Sequence, residues 1–332
     1  MFPWTSCRCT PSRETWIPIE FNINNLAFMP MMNGAVKTLW QRRYGNIGIQ
    51  LMDRTVLIYL AALGLLVIPF HRDVALWALY PAGHAVLCFL ILEFVRFSAG
   101  RSSAVLRFVR TFYPVLGIPF LWTELDNLIT MLLPYWANGW IVQLDLKLFG
   151  VHPTVWMEQW FRPWLTELMN FFYALYYLFI PTVGLWLYFR GKVQQTFDFL
   201  FLVMFTFCTS YFLFLCFPSE GAWIVLKDLH RVQPEGGLFM RFIQMLQSKG
   251  SIRGGAFPSS HVDVAFVVAL SGIRYVRRLG WFLLPFAMGV AVATVYCRYH
   301  HAVDSIAGIV WGGICYAAGT WILKKRDANA RR

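Results

Sequence analysis

Phe197-Asp-Phe-Leu-Phe-Leu-Val-Met-Phe-Thr-Phe-Cys-Thr-Ser-Tyr-Phe-Leu-Phe-Leu-Cys-Phe217 carries a single charge, on Asp198. A run of this length and apolarity is what a helix needs to cross the hydrocarbon core of a bilayer. Seven further apolar segments surround it, at roughly 55–70, 74–95, 113–133, 166–189, 262–276, 281–297 and 302–323. Several are shorter than the ~20 residues of a straight span, within what tilt and flanking residues allow. Composition points the same way. Of 332 residues, 58% are hydrophobic and 14% charged, against about 25% charged in soluble domains. A soluble enzyme and a disordered chain are both excluded. Fifteen Trp and fourteen Tyr suit the aromatic belts of membrane interfaces. The fold predicted is all-α, a polytopic membrane bundle of about eight transmembrane helices.

The net charge of +12 is distributed by topology. Lys37, Arg42, Arg43 and Arg54 precede the first segment. Arg96, Arg101, Arg107 and Arg110 separate the second from the third, and Arg190 and Lys192 the fourth from the fifth. Arg274, Arg277 and Arg278 separate the sixth from the seventh, and Lys324, Lys325, Arg326, Arg331 and Arg332 follow the eighth. Every second connection is basic, which is the positive-inside pattern. It predicts cytoplasmic termini and argues against nucleic acid as a partner. Residues 1–53 lack a signal-peptide design and read as a cytoplasmic segment. Met29, Met31 and Met32 offer alternative starts, so the first thirty residues are a candidate over-called leader. The seven cysteines are odd in number and five lie in apolar stretches. They read as small apolar fillers.

On the opposite face lie two long connections. Residues 134–165 hold Trp136, Trp140, Trp156, Trp160 and Trp164 and read as amphipathic helices along the membrane surface. Residues 218–261 are polar and Gly-rich and end in Arg253-Gly-Gly-Ala-Phe-Pro-Ser-Ser-His261-Val-Asp263. Pro258 and the glycines stop any earlier helix, and Ser260 with Asp263 has capping-box spacing. His261 therefore falls in the first turn of the sixth span, where free N–H groups and a partial positive charge suit phosphate. The second stretch, Cys297-Arg298-Tyr-His300-His301-Ala-Val-Asp304, joins the seventh span to the eighth on the same face. His300 and Asp304 share one side of a helix. A carboxylate on one imidazole nitrogen leaves the other as nucleophile or base, and Arg298 offers a fork for phosphate oxygens. Together these parts make a phosphoryl-transfer site. His300 attacks, Asp304 orients it, His261 protonates the leaving oxygen, and Arg298 with the backbone around Ser259 and Ser260 holds the equatorial oxygens. His301 points elsewhere. No cofactor is called for, and no carboxylate or His/Cys cluster beyond the catalytic set has metal-ligand spacing.

Pro258-Ser259-Ser260-His261 matches the Pro-Ser-x-His motif of the type 2 phosphatidic acid phosphatase superfamily, and Arg298-x-His300-x-x-x-Asp304 resembles its Arg…His-x-x-x-Asp motif. The short Arg-x-His gap is similar to the branch containing inositol phosphorylceramide synthases. Residues 145–153, an Asp-x-x-Leu-Phe-Gly-x-x-Pro pattern, resemble that inositolphosphotransferase branch too. The resemblance covers roughly residues 113–323. It implies a six-helix phosphatase-like membrane domain there, a two-helix N-terminal extension at 54–112 and a basic cytoplasmic tail at 324–332. It further implies a metal-independent phosphohistidine intermediate on a lipid phosphate or phospholipid substrate, with His300 as nucleophile and His261 as acid. The superfamily's first motif, Lys-x6-Arg-Pro, is absent: Arg162-Pro163 has no lysine seven residues earlier. Lys227, Arg231, Lys249 and Arg253 are candidates to supply its charge, Arg253 being nearest in sequence.

Among the remaining polar residues, His71, His152 and His230 read as interfacial. His84, Glu93, Glu124 and Asp126 read as buried pairs or as part of a substrate cavity. Asp145 is either a helix cap or part of the family stretch, Glu220 is a turn residue or a headgroup contact, and Phe171-Phe172-Tyr173 with Tyr176-Tyr177 reads as packing. The functions consistent with this chemistry are transfer of a phospho-headgroup to a lipid alcohol and hydrolysis of a lipid phosphate or polyprenyl diphosphate by water. A carrier or scaffold that kept the fold is opposed by the intact His–His–Asp–Arg set.

Overall fold

Each of the eight apolar segments forms a helix in the computed structural model, which describes residues 43, 44 and 47–331. The chain divides into two units, Met1–Gly48 and Ile49–Arg332, and the second holds the helical bundle. The alternative starts lie outside the described residues. The helices are α1 (Leu51–Val67), α2 (Leu79–Ser98), α3 (Ala104–Leu116), α4 (Ile118–Leu125), α5 (Asn138–Phe149), α6 (Pro153–Trp156), α7 (Pro163–Phe189), α8 (Val193–Cys216), α9 (Ala222–Val225), α10 (Leu238–Gly250), α11 (Ser260–Tyr275), α12 (Arg277–Tyr296) and α13 (Ala302–Asn329). No strand occurs among the described residues beyond an isolated bridge between Ser219 and Gly255.

Among the described residues, six stretches are long and apolar enough to cross a membrane: Leu79–Ser98, Ala104–Leu125, Pro163–Phe189, Val193–Cys216, Arg277–Tyr296 and Ala302–Asn329. The other two predicted spans, α1 with 17 residues and α11 with 16, are shorter. At ~1.5 Å per residue α11 reaches about 24 Å, less than the ~30 Å hydrocarbon core. It meets protein instead of lipid. Val262, Val264, Ala265, Val267 and Val268 are fully buried, and α7, α8, α12 and α13 pack around the helix.

The long apolar stretch that contains α8 is likewise central. An all-round hydrophobic helix faces either lipid or a protein core. Here Phe199, Leu200, Leu202, Val203, Met204 and Phe214 are fully buried, against α1 on one side and α11 and α13 on another.

α11 and α13 approach closely because α13 presents glycine at four-residue spacing. A Cβ at Gly308 would stand 2.7 Å from Ser259 O, and one at Gly312 would stand 2.7 Å from Asp263 O. This small-xxx-small contact brings the start of α11 beside the start of α13, which is what positions the site.

The third apolar segment begins earlier than predicted. Ser103 caps α3 through Leu106 N–H, so Arg107 and Arg110 lie within the helix and not in a loop. Arg110 is no topology signal. Its Nη1 donates to Asp53 Oδ1 at 2.9 Å, and the Tyr113 hydroxyl donates to the same oxygen at 2.7 Å. This buried pair ties α1 to α3. His84 of α2 bonds Glu124 of α4, one of the pairings anticipated for those residues.

Candidate active site

The loop ending at Ser259 turns directly into α11. Ser259, not Ser260, is the N-cap, and its side chain makes no capping bond. The predicted Ser260–Asp263 capping box does not form. Asp263 is fully buried and accepts from Ser210 Oγ of α8 at 2.6 Å. The Ser259 N–H donates to Asp304 O at 3.0 Å, fastening the start of α11 to the first turn of α13. His261 then projects from α11 beneath two tyrosines of α7. Tyr173 Oη lies 2.9 Å from His261 Nε2, and the Tyr176 ring is 4.6 Å from the imidazole, centroid to centroid.

His300 lies in the turn between α12 and α13. Arg298 takes φ 66° there, a left-handed conformation uncommon outside glycine, and Trp223 N–H donates to its carbonyl at 2.9 Å. His300 Nδ1 lies 2.9 Å from Ala256 O and 3.6 Å from Asp304 Oδ2. A carbonyl only accepts, so the proton sits on Nδ1 and Nε2 keeps its lone pair. The bond that sets the tautomer comes from the Ala256 carbonyl. Asp304 stands just beyond hydrogen-bond range. Asp304 is itself fixed by His301 N–H at 2.8 Å. The His261 and His300 rings are 5.9 Å apart between centroids.

Both histidines line a cavity of about 720 Å³. Its cationic side chains are Lys227, from the 218–261 connection, and Arg298. His230 also lines it, but burial and the neighbouring Arg298 charge push this imidazole down to about 4, so it is neutral at pH 7. The lining contains no Asp or Glu; Gln233, Gln244, Gln247, Ser248 and Ser251 supply its uncharged polar groups.

The sequence-selected residues divide. His261, His300 and Arg298 reach the cavity, and Asp304 backs His300. Ser259 and Ser260 do not line it. Arg253 lies outside: its side chain is 65% exposed, pairs with Glu220 and stacks 5.2 Å from the Trp136 ring. Glu220 also accepts from Asn138 Nδ2 at 2.8 Å, which makes it a loop tie. Arg298 is engaged by Glu158, Nη2 to Oε1 at 2.6 Å, and donates to Val232 O. Asp145 is a cap, but of a distant helix. From α5 it accepts the N–H groups of Ala302 and Val303 at 3.3 and 2.9 Å, and His301 packs against it, away from the cavity.

A family model described as the PAP2 superfamily matches residues 139–318, more than half of the chain. The chain belongs to the PAP2 superfamily. A PA-phosphatase related-family protein of Dictyostelium discoideum is 31% identical over 101 residues, 29% of this chain and 18% of the relative. The match thus spans about a fifth of that relative's length. No solved structure gives a significant match. The PAP2 region begins in α5, ends in α13 and contains His261, Arg298, His300 and Asp304; α1–α4 lie before it.

Four neighbours of this PAP2 site were not selected from the sequence for a role there. Tyr173 sat in an aromatic cluster that reads as packing, and one hydroxyl per tyrosine gives no sign of where it points. Glu158 is one of two acidic residues in the Trp-rich stretch 134–165 and belongs to no motif. Ala256 acts through its carbonyl, which no side chain reveals. Tyr299, whose ring is 4.7 Å from that of Tyr173, falls inside the Arg-x-His motif as its variable position.

Proposed function

We propose that the protein is an integral membrane lipid phosphotransferase working through a phosphohistidine on His300. The observation that carries this reading is the Ala256 O–His300 Nδ1 bond, which leaves Nε2 unprotonated in the cavity that His261 shares. In the first step His300 Nε2 forms a bond to phosphorus, the bond from phosphorus to the leaving lipid oxygen breaks, and His261 supplies that oxygen with a proton. In the second an acceptor hydroxyl attacks phosphorus, gives its proton to His261 and releases His300. Asp304 stabilises the imidazolium character of His300 during both. Lys227 and Arg298 hold the non-bridging oxygens, which assigns to Lys227 the charge that the absent Lys-x6-Arg-Pro motif would bring. Charge-assisted contacts of this kind act most strongly where water is excluded.

The uncharged polar lining of the cavity supports a hydroxyl-rich headgroup. Three glutamines and two serines can exchange hydrogen bonds with a polyol. This favours an inositolphosphotransferase-like reaction, a phospho-polyol passing to a lipid alcohol, over hydrolysis of a lipid phosphate with water as acceptor. The site is assigned to the extracytoplasmic or luminal face. α13 starts at the site and carries Lys324, Lys325 and Arg326 near its other end, about 35 Å away at ~1.5 Å per residue, and basic ends stay cytoplasmic.

The deciding experiment is reconstitution of purified protein in vesicles containing phosphatidylinositol and ceramide or a labelled diacylglycerol, with products read by mass spectrometry. Transfer yields a phosphoinositol-bearing acceptor lipid. Free inositol phosphate or inorganic phosphate without that lipid means that water is the acceptor.

A further inference from the structure

The 218–261 connection contains a helix that its glycine-rich composition hid. α10 is suspended between two membrane-spanning elements. At its start, the Glu167 carboxylate of α7 accepts the N–H groups of Gly237 and Phe239, a cap supplied from another helix. At its end, Trp122 Nε1 of α4 donates to Gly250 O at 2.6 Å. Between these ties Ile243 is buried against Tyr173, and the Phe239 and Phe171 rings meet at 5.0 Å.

The two sides of α10 differ. Met240, Gln244, Gln247 and Ser248 line the cavity. Leu238, Phe242 and Met245, at helical spacing on the other side, are 75%, 40% and 49% exposed, and the exposed Arg241 and Lys249 flank them. An apolar stripe edged by basic residues is the pattern of a helix lying in the headgroup–acyl boundary. The stripe also continues the exposed apolar surface of the neighbouring helices: Trp164 and Leu168 of α7 are exposed beside one end, and Phe120 of α4 near the other.

We infer that the outer face of α10 is seated in the bilayer leaflet on the cavity's side and touches phospholipid directly, so that a single helix separates the cavity from lipid. The occupant of this face is the membrane itself, not a second copy of the chain or a soluble partner. The two basic residues favour anionic headgroups there. The inference rests on the membrane-spanning fold and not on the proposed reaction, so an inactive preparation tests it equally well.

The test places a photoreactive phenylalanine analogue, p-benzoylphenylalanine, at Phe242 of the full chain. The chain is reconstituted in vesicles of phosphatidylcholine with a minor fraction of phosphatidylglycerol. The same analogue at Phe282, 60% exposed on α12, is the lipid-facing reference. Both positions are exposed, so the analogue is accommodated without repacking the core. Irradiation should give phospholipid adducts at both positions by mass spectrometry, with phosphatidylglycerol enriched among the adducts at position 242. Lipid adducts at position 282 with none at 242 overturn the proposal, as does cross-linking of position 242 to a second copy of the chain.

Discussion

Arg298 and Glu158 form an ion pair at 2.6 Å, with side chains only 6% and 10% exposed. The same carboxylate accepts the N–H groups of Arg231 and Val232 at 3.1 and 3.3 Å, so one acidic residue ties the 218–261 connection to the arginine of the second motif. Removing one partner of a buried pair costs about 3–5 kcal/mol because the other charge is stranded. Glu158→Gln should therefore lower the thermal unfolding midpoint in detergent. Vanadate, as a phosphate mimic that takes up the stranded Arg298, should raise that midpoint more in the variant than in the parent. An equal vanadate shift in both would mean that Arg298 does not meet the phosphate.

The two histidines should respond differently to the leaving group. In the proposed mechanism His261→Ala removes a proton donor that an activated substrate such as a nitrophenyl phosphate scarcely needs. It should recover part of the ~10²–10⁴-fold that general acid catalysis provides. In the same mechanism His300→Ala removes the nucleophile and should stay inactive on both substrates. Rescue of His300→Ala with no rescue of His261→Ala would reverse the roles.

Lys227 and Arg253 give opposite expectations. Lys227 lines the cavity, whereas Arg253 pairs with Glu220 outside it. Lys227→Met should reduce kcat/KM by roughly 10–100-fold, the worth of a lost charged hydrogen bond of about 1.5–3 kcal/mol. Arg253→Met should leave kcat/KM close to the parent value. A comparable loss in Arg253→Met would place the phosphate nearer the loop than the cavity geometry allows.

Gly312 has no room for a side chain, since a Cβ would stand 2.7 Å from the Asp263 carbonyl oxygen. Gly312→Ala should wedge α13 from α11 at a cost of about 1–3 kcal/mol and should lower turnover by parting His261 from His300. Gly313, on the same helix, has open space around its Cα, so Gly313→Ala is the matched control. Equal behaviour of the two variants would refute the close-contact argument.

Orientation is open to chemical labelling. A cysteine at Gly254 would clash with Ile129 and Trp136, whereas Glu235 is exposed in the same connection, residues 218–261. Glu235→Cys should react with an impermeant thiol reagent applied to intact cells or sealed, correctly oriented vesicles. Labelling that requires opening the membrane would invert the topology.

Hydrophobicity alone determined that the chain is a bundle of membrane helices, because a long apolar run has few other stable states. Local spacing singled out His261, His300 and Asp304, since Pro-Ser-x-His and His-x-x-x-Asp are short-range patterns. Packing decided the rest. Whether an all-apolar helix meets lipid or protein depends on its neighbours, and α8 proved to be the centre of the bundle. Arg110 resembles a loop charge until Asp53, 57 residues away, is folded against it. Asp145 caps α13 across 157 residues. Arg253 is nearest the motif along the chain but faces away, while Lys227 reaches the cavity. Such choices rest on contacts between residues far apart in sequence, which only the folded chain brings together.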